Sequence, residues 1–536
     1  MRALLFTLIG VPLAASLLSL ASGRGQRLPG SDRRRPSAAL GDWRLAGAAS
    51  ALGGVGSLGL ALALALSVAH GGVLQAADGW IRLDPLGAVF LLATALVYAA
   101  AAVFSQGYIP GQGHPARSPR AHDPARGEPA AGAFARSVRP AREAATTAYA
   151  RRYFALLDLF GWTMLIVPLT ADFGTLWVTI ELTTIVSALL VAIDRTDAAL
   201  EASWKYALIA SSGLGIALLA IIVLYATGTH ALGDAYLPRF AGLLAHARNL
   251  AADAVRLSFA LALVGFGTKV GFVPVHTWLP DAHSEAPAPV SALLSGALLA
   301  CALYAILRFF EVAVAAGQRS FAEHALIVFG VLSLILAALF VLRQRNFKRL
   351  LAYSSVEHMG VIALGVGFGA PLAVAGALLH VITHASAKGL AFLSSGSLMR
   401  GYDTKEIERV AGAGALMPAS GSMFLAAVLA LSGLPFSGVF RSEFEIVAGG
   451  LASSQYAGVA ILLALVNLAF LGIIAHAGRM VLSAPAGSRA RESGGWMLAG
   501  MGGCLLVVVA LGLHLPGALA ALLGSARHLL LPALAR

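Results

Sequence analysis

An apolar segment near residue 380 carries three titratable side chains at a helical spacing. His380, His384 and Lys388 follow one another at intervals of four residues within "HVITHASAKG". Positions four apart share one face of an α-helix, so these groups form a ladder along about two turns. Histidine titrates near neutral pH, and a buried lysine can exchange its proton in the same range. The spacing favours a proton path, and imidazoles that only hold helices together by hydrogen bonds are the alternative.

Further ionisable residues lie in other apolar segments. A charge within a bilayer costs about 2.5–3.5 kcal/mol on insertion scales, so each such group is a functional hypothesis. Lys205 stands near a helix start, where its side chain could equally extend to the surface. Asp158 stands close to a helix end, where we expect an interfacial role. The candidates well inside apolar segments are Glu181, Lys269, Glu357, His358 and Glu443.

The residue types argue against a metal centre or a cofactor. Cys301 and Cys504 stand in apolar runs, and the sequence has no CxxC motif or Cys/His cluster. Iron–sulfur clusters, c-type haem and structural zinc therefore find no ligand set. His380 and His384 have the i, i+4 spacing of a zinc site, but no HExxH glutamate lies between them and no third ligand is near in sequence. We expect no metal and no cofactor, so any electron transfer takes place on another subunit.

Membrane-spanning helices must position these groups. Of the 536 residues, 58% are hydrophobic and only 12% are charged, whereas soluble domains have roughly 25% charged residues. Apolar runs of about 20 residues recur, which is long enough to cross a hydrocarbon core of ~30 Å. The sequence therefore predicts an all-α polytopic membrane protein, and the first run is interpreted as a helix rather than a signal peptide. Helices are predicted at residues 2–21, 44–69, 84–106, 152–170, 172–193, 202–226, 255–275, 287–310, 322–343, 349–369, 371–399, 416–448, 455–482 and 495–514, followed by an interfacial tail helix.

The positive charges fix the expected orientation. The formal net charge of +12 comes mostly from arginines between the apolar runs, which indicates membrane topology rather than nucleic-acid binding. The odd-numbered loops are the richest in Lys and Arg, so we expect them on the cytoplasmic side and both termini on the outer side of a bacterial inner membrane. The third loop, residues 107–151, is rich in Arg, Pro and Gly and is predicted to be disordered. It is either a solvated spacer or a contact for anionic lipids or a partner.

Two apolar segments are interrupted by Gly and Pro next to a charge. "GFGTKVGFVPV" contains Lys269, and "LSGLPFSGVF" is followed closely by Glu443. Paired interruptions in corresponding halves are typical of transporters with inverted repeats and a site near the midplane. We therefore set the fourth to eighth predicted helices against the ninth to thirteenth, with ordinary proline kinks as the alternative.

Four motifs resemble one membrane-protein superfamily. They are "KVGFVPVHTWLPDAHSEAPAPVSALLSG", "KRLLAYSSVEHMG", "HVITHASAKGLAFL" and "LPFSGVFRSEFEIV". The chain resembles the antiporter-like subunits of respiratory complex I and of Mrp cation/proton antiporters over about residues 84–482. Within that superfamily, two stretches are most similar to component F of hydrogenase-4 and formate hydrogenlyase-type complexes: "LWVTIELTTIVSALLVAIDRTDAALEASWKYALI" and "VEHMG".

This resemblance implies fourteen helices with two inverted five-helix repeats, each containing a proton half-channel. The family's functional positions then fall on Glu181, Lys205, Lys269, His380, His384, Lys388 and Glu443. Several relatives carry a lysine in the eighth helix, where this chain has Ala300. Water, or His276 and His283, would have to replace that lysine between the half-channels.

The resemblance also implies a division of the chain and a function. We expect a proton-translocating, non-catalytic subunit of a multisubunit redox complex, driven by a peripheral redox arm and in contact with other membrane subunits and lipids. Glu181 and Lys269 would form a switchable pair that holds a proton when close and releases it when apart. A cation/proton antiporter, a non-pumping structural subunit and an inorganic-carbon uptake subunit are the alternatives, and sodium could replace the proton. The expected parts are residues 1–106 (three helices), 107–151 (cytoplasmic loop), 152–310 (first repeat), 322–482 (second repeat) and 483–536 (last helix and interfacial tail).

Overall fold

The chain folds almost entirely into helices. The computed structural model describes residues 1–22, 42–109, 131–233, 239–485 and 490–532. The β-structure within these ranges is a short antiparallel hairpin, in which strand β1 (Leu74–Ala76) pairs with strand β2 (Ile81–Leu83), together with three isolated bridges. Eleven helices of the described part are long and apolar enough to cross a membrane. The all-α polytopic class is therefore confirmed, while the number of fourteen spans stays a prediction.

Twenty α-helices follow one another along the described part of the chain. They are α1 (Arg2–Ala21), α2 (Asp42–Val68), α3 (Pro85–Tyr108), α4 (Ala131–Ile166), α5 (Phe173–Val191), α6 (Asp197–Leu232), α7 (Phe240–Ala245), α8 (Ala252–Val270), α9 (Trp278–Glu285), α10 (Ala288–Leu293), α11 (Leu299–Ala315), α12 (Arg319–Val341), α13 (Phe347–Gly367), α14 (Pro371–Tyr402), α15 (Ala413–Leu416), α16 (Pro418–Leu431), α17 (Gly438–Ala452), α18 (Tyr456–Leu482), α19 (Gly495–Leu513) and α20 (Gly517–Leu530).

Polar caps set the start of several apolar helices. Asp84 accepts from Gly87 N–H at 3.0 Å at the start of α3, and Asp172 accepts from Thr175 N–H at 2.8 Å at the start of α5. Thr196, Asn346 and Ser437 do the same for α6, α13 and α17. Side chains of this type satisfy the free N–H groups of a first turn. The caps explain why long apolar runs are divided into helices at these points.

The Gly/Pro interruptions end one predicted helix early and divide another, because the predicted helix 255–275 stops at Val270 and the predicted helix 416–448 is broken in the middle. α8 ends at Val270 and is followed by Gly271 at φ +86°, before α9 begins at Trp278. The predicted helix 416–448 is in fact two helices, because α16 ends before Gly433 at φ +67° and α17 begins at Gly438. Glycine adopts a positive φ without the steric penalty of a Cβ atom. Both breaks lie next to charged residues assigned to the site.

The predicted helix 287–310 also contains an irregular turn. α10 and α11 are joined by a π-helical turn over Leu294–Leu298, so the helix is continuous but locally widened. Turns of this kind are rare and occur often at functional sites. The turn lies six residues or fewer before Ala300, the position at which the family resemblance leads us to expect a lysine.

The third predicted loop is partly helical. α4 begins at Ala131, so residues 131–151 have helical backbone rather than the expected disorder. This stretch is rich in alanine, which has the highest helix propensity of all residues. The remainder of that loop, residues 110–130, and the first loop at 23–41 lie outside the described residues.

α14 is the central helix of the bundle. It packs against α13, α16, α17, α3, α10 and α19. Its segment from Val381 to Leu398 is buried throughout, although the helix carries serine, threonine, histidine and lysine side chains there. Such a helix must pair its polar groups with polar groups of neighbouring helices, since lipid cannot do so.

Candidate functional site

Three helices bring a chain of hydrogen-bonded polar groups together in the second half of the protein. His358 on α13 lies with Nδ1 3.1 Å from Nε2 of His380 on α14. The other ring nitrogen of His380, Nδ1, lies 2.9 Å from the Ser442 hydroxyl on α17. Thr383 lies 3.3 Å from the same hydroxyl. All four side chains are buried, so they form one continuous hydrogen-bonded row across three helices.

Glu443 lies at the accessible edge of this row. Its side chain is 13% exposed, and Oε1 lies 3.8 Å from Nδ1 of His358. The other oxygen, Oε2, lies against Gly433 in the helix break, where a Cβ atom would approach it to 2.6 Å. The broken helix therefore provides the space for the carboxyl group. The arrangement brings a carboxyl group, two imidazoles and a serine hydroxyl within short reach of one another.

The ladder predicted on α14 faces the protein interior. The rings of His358 and His384 lie 5.3 Å apart, and those of His380 and His384 lie 6.2 Å apart at an interplanar angle of 16°. Lys388 is completely buried, and its ammonium group donates to the carbonyl oxygen of Leu351 at 2.9 Å. The three groups thus share one interior face, as their spacing indicates.

Glu357 adds a second carboxyl group to this region. It is 2% exposed, and its Oε2 has no hydrogen-bond partner among the described residues. It lies within electrostatic reach of both Lys388 and Glu443. The secondary candidates Glu357 and His358 therefore belong to the same cluster as the residues of the ladder.

A smaller polar group occupies the first half of the chain. Lys269, at the end of α8, is 0% exposed and donates to the carbonyl oxygen of Ile180 at 3.0 Å and to the hydroxyl of Thr184. Glu181 belongs to the same turn of α5, and its Oε1 accepts from the Ser211 hydroxyl at 2.8 Å. The structure therefore places the predicted pair on either side of one helical turn, without a direct ion pair between them.

Two predicted residues lie apart from these groups. The side chain of Lys205 is 38% exposed, and its ammonium group pairs with Glu201 one turn earlier on α6. His276 lies in the break between α8 and α9, with its ring centroid 6.4 Å from that of Tyr353. The structure does not bring Lys205 into the buried cluster, because its position near the start of α6 lets the side chain reach the surface. Its part in a relay stays a prediction.

The segment between the two halves contains His283 and no lysine at residue 300. Ala300 is buried on α11. His283 on α9 is fully buried and stacks on Phe392 at 5.0 Å, and neither ring nitrogen has a hydrogen-bond partner among the described residues. Buried polar atoms without a partner are rare and require an explanation such as a water molecule or a catalytic role.

Several polar residues at the centre escape prediction from sequence. Ser295, in the π-helical turn, lies 2.7 Å from Ser355 on α13. Ser355 also donates to the carbonyl oxygen of Leu351, the group that receives the hydrogen bond from Lys388. Serines occur commonly in membrane helices, so neither residue attracts attention in the sequence. Only the packing of α10–α11 against α13 reveals them.

Lys348 also escapes prediction. It is 1% exposed and donates to the carbonyl oxygens of Ser284 and Ala286, at the C-terminal end of α9. In the sequence it follows two arginines in a charged loop and resembles a topology-determining residue. Its ammonium group satisfies carbonyls that have no partner within the helix, so its structural role is that of a C-terminal cap.

A buried ion network lies on α3 and α11. The guanidinium group of Arg308 bonds to both carboxylate oxygens of Asp84, at 2.6 and 2.7 Å, and to Glu311 at 2.8 Å. It also lies over the Phe240 ring, 5.0 Å from its centroid. Arg308 and Glu311 stand three residues apart within an apolar run, and this pattern in the sequence could have identified the network. It ties the start of α3 to the end of α11.

One group of donor atoms would fit a single metal ion by distance. Ligand atoms of His358, His380 and Glu443 all lie within 4.8 Å of one another. The prediction of no metal considered His380 with His384, and the structure pairs His380 with His358 instead. The facing nitrogens of those two rings are 3.1 Å apart and share a hydrogen bond, which occupies the atoms that a metal would require. The geometry favours proton sharing, and the absence of a metal stays a prediction.

Comparison with known proteins agrees with this arrangement. Residues 170–469 match the family described as "NADH:quinone oxidoreductase/Mrp antiporter, TM". The chain is 39% identical over 307 residues to "Hydrogenase-4 component F homolog" of Methylacidiphilum infernorum, a match that covers 57% of this chain and 64% of that protein. The match thus spans less than two thirds of the length of that relative.

Two solved structures share the fold. A chain of the Mrp complex from Dietzia sp. DQ12-45-1b superimposes with a TM-score of 0.76 at 21% identity, covering 97% of this chain and 96% of that chain. A chain of respiratory complex I from Thermus thermophilus superimposes with a TM-score of 0.75 at 23% identity, covering 98% and 99%. At this identity the likeness concerns the fold alone. The matched family segment nevertheless covers more than half of the sequence and contains both polar groups described above, so this chain belongs to the NADH:quinone oxidoreductase/Mrp antiporter family of membrane proteins.

Proposed function

We propose that this chain is a proton-translocating membrane subunit of a multisubunit redox complex of the hydrogenase-4 or NADH–quinone oxidoreductase type. The observation that carries the proposal is the convergence of six buried or nearly buried titratable groups on α13, α14 and α17: Glu357, His358, His380, His384, Lys388 and Glu443. Such groups are expensive inside a membrane and mark proton or ion pathways. The chain itself would be non-catalytic, with electron transfer on a peripheral arm.

The second half would pass protons along its hydrogen-bonded row. A proton taken up at the accessible edge by Glu443 would move to His358 and then across the 3.1 Å bond to His380. His384 and Lys388 continue the row along α14. Rotation of imidazole rings and hydroxyl groups would reset each hydrogen bond, and water would bridge the longer separations.

The first half would work as a switch between Glu181 and Lys269. Thr184 and the Ile180 carbonyl hold the ammonium group while Glu181 bonds to Ser211. Movement of the carboxylate toward the ammonium group would favour the protonated lysine, and its return would release the proton. Moving one proton against 100 mV requires about 2.3 kcal/mol, which corresponds to a change of nearly two pKa units in the switching group.

The proton path between the two halves of the chain would run through residues other than Ala300. Ser295 and Ser355 share a 2.7 Å hydrogen bond, and Ser355 and Lys388 bond to the same carbonyl group of Leu351. His283 lies within electrostatic reach of Lys388 and has two unpartnered ring nitrogens in the described part. These groups would replace the missing lysine, with water as the bridge.

The proposal includes the predicted division of the chain. The same order of helices occurs twice: two helices, a third helix, a broken helix and a final helix. In the first half these are α4, α5, α6, α8–α9 and α10–α11, and in the second half α12, α13, α14, α16–α17 and α18. The third helices are α6, of 36 residues, and α14, of 32 residues. α4 also has 36 residues, because it begins at Ala131 within the predicted loop 107–151. This recurrence supports repeats at 152–310 and 322–482 between the segments 1–106, 107–151 and 483–536. We further propose an inner-membrane location with both termini outside, which tags accessible from one side of intact cells would test.

The test is proton movement by the native complex reconstituted in vesicles. Lys269→Ala should abolish proton movement driven by an electron donor, because it removes the switch group. Lys405→Ala is the control, since Lys405 is a partly exposed lysine paired with Glu285 outside the buried row. Proton movement by Lys269→Ala at the wild-type rate would mean that the charges serve only to hold helices together.

The same preparation separates the other candidate functions. Exchange of sodium or potassium for protons without any electron donor would identify a cation/proton antiporter. Copurification with a soluble zinc protein, instead of redox subunits, would identify inorganic-carbon uptake. Membership of the family and similarity to the named relative are compatible with each of these assemblies, so the experiment decides between them.

A further inference from the structure

A second file of buried polar side chains runs along the seam between α3 and α4. The two helices are antiparallel, and their polar residues meet in pairs. The Ser105 and Tyr153 hydroxyls lie 2.9 Å apart, and the Tyr98 hydroxyl donates to Asp158 Oδ1 at 2.8 Å. All four side chains are buried. None of them belongs to the groups that the proposed function uses.

Asp158 is an interior carboxyl group without a neighbouring cation in the described part of the chain. The expectation of an interfacial role for Asp158 is wrong, because the side chain is 0% exposed and packs between α2 and α3. Its Oδ1 accepts from Ser50 at 2.6 Å and from Tyr98, while Oδ2 has no partner among the described residues. Burying an isolated carboxylate is costly, and a bound proton would remove that cost. The free atom Oδ2 is the position at which that proton would bind.

The seam reaches the loop region at one end. Tyr149, one helical turn before Tyr153, donates to Asp194 Oδ1 at 2.6 Å in the turn between α5 and α6. The side chains of both Tyr149 and Asp194 are only partly buried. The positive charges of the loops predict that this end faces the cytoplasm. Protons could therefore reach the seam from that side.

The other end of the seam approaches the first polar group of the relay. Thr94, one turn from Tyr98 on α3, lies 3.9 Å from the thiol of Cys301. Cys301 lies 3.6 Å from the Met164 carbonyl oxygen and within electrostatic reach of Lys269. The seam thus continues toward the ammonium group that the proposed switch controls.

We propose that the α3/α4 seam is a second proton-conducting branch with Asp158 as its protonatable midpoint. A proton arriving from the Tyr149–Asp194 end binds to Oδ2 of Asp158 and leaves past Thr94 toward Lys269. Along α4, the polar residues Tyr149, Tyr153 and Asp158 of the seam are four or five positions apart. These spacings correspond to about 6–7.5 Å along a helix, a distance that one or two water molecules can bridge. Only O–H and N–H bonds form and break along this route. The branch rests on the proposed function, because it delivers protons to the same switch.

A purely structural clamp is the competing explanation, and Asp158→Asn separates the two. An asparagine side chain keeps Oδ1 as the acceptor for Ser50 and Tyr98, yet it cannot bind and release a proton. We expect Asp158→Asn to assemble into the complex and to lower the number of protons moved per electron at least twofold. Tyr149→Phe should reduce the same ratio by removing the hydroxyl at the cytoplasmic end.

The matched control is Ser16→Ala. Ser16 on α1 donates to the Ala155 carbonyl oxygen on α4 at 2.8 Å, so it holds α4 in place without belonging to the seam. Its proton-to-electron ratio should equal that of the wild type. If Asp158→Asn keeps the wild-type ratio of protons to electrons while Lys269→Ala abolishes proton movement, the branch is overturned and the proposed function stands. Normal ratios in both would overturn both.

Infrared difference spectroscopy on the wild-type complex gives a second readout that needs no Asp158 variant. Turnover should change a carboxylic-acid C=O band, and Tyr98→Phe should shift that band because it removes a hydrogen bond to Oδ1. Absence of any band that responds to Tyr98→Phe would overturn the assignment of Asp158 as a protonatable site.

Discussion

Gly433 offers a direct test of whether the position of Glu443 matters. In Gly433→Ala, the new Cβ atom would lie 2.6 Å from Oε2 of Glu443. The carboxyl group must therefore retreat by about 0.8 Å to reach ordinary contact. Its Oε1 is only 3.8 Å from His358 in the wild type, so a shift of this size would disturb the first proton transfer that we propose for the row. Displacements of about 1 Å can reduce the rate of a reacting pair up to a hundredfold. We expect proton movement to fall at least fivefold.

The variant also imposes a backbone penalty that must be separated from this effect. Gly433 has φ +67°, where alanine is destabilised by about 1–2 kcal/mol. Gly317 has a similar φ of +78°, but a Cβ atom there would meet nothing within 4 Å. Gly317→Ala therefore carries the same backbone penalty without touching the site. Both variants should lower thermal stability to a similar degree, because the end of the Glu443 side chain can rotate away.

The assay is redox-driven proton uptake by vesicles that contain the complex, with thermal unfolding in detergent as the stability measurement. Gly317→Ala should retain wild-type proton movement per electron, whereas Gly433→Ala should not. A double-mutant cycle completes the test: adding Gly433→Ala to Glu443→Ala should cause no further loss, because the carboxyl group is already absent. An additive loss, or wild-type transport in Gly433→Ala, would refute the reasoning.

Three further predictions concern the ion network, the connection between the halves and a charged loop. Arg308→Ala should destabilise the protein by about 3–5 kcal/mol, since it leaves the buried carboxylate of Glu311 unpaired and Asp84 with only the more distant Arg82. Arg256→Ala, in an exposed ion pair, should change stability by less than about 1 kcal/mol. Ser355→Ala should slow proton movement at least threefold, because it removes the bridge to Ser295, and should change the unfolding temperature by no more than a few degrees. Ser397→Ala is the control and should keep wild-type proton movement in the same vesicle assay. Burial raises the pKa of Glu492, but hydrogen bonds from a serine hydroxyl and backbone N–H groups outweigh it and lower this pKa below the usual 4.5. The carboxylate should therefore stabilise the fold above about pH 4.5 and lose that effect as the pH falls through the lowered pKa, so Glu492→Gln should flatten the acid limb of thermal stability measured against pH.

Much of this protein follows from patterns along the chain. Apolar runs determine the membrane class because backbone groups in lipid must form helices. The i, i+4 spacing of His380, His384 and Lys388 determines that they share a face, and the expense of burying them determines that this face points inward. Glycine and proline beside Lys269 and before Glu443 determine where the helices break.

Tertiary packing decided which of these groups meet. His358 and His380 are 22 positions apart, and Ser442 is another 62 positions away, yet they form one hydrogen-bonded row because α13, α14 and α17 converge. No local pattern predicts that convergence, since helical periodicity fixes a face but not its partner. The same limit applies to Lys205 and Asp158, which both stand near helix ends in sequence. The side chain of Lys205 reaches the surface, whereas that of Asp158 is enclosed by neighbouring helices. Burial is a property of the assembled bundle, so the sequence identifies titratable groups and only the structure shows which of them lie close together in the interior.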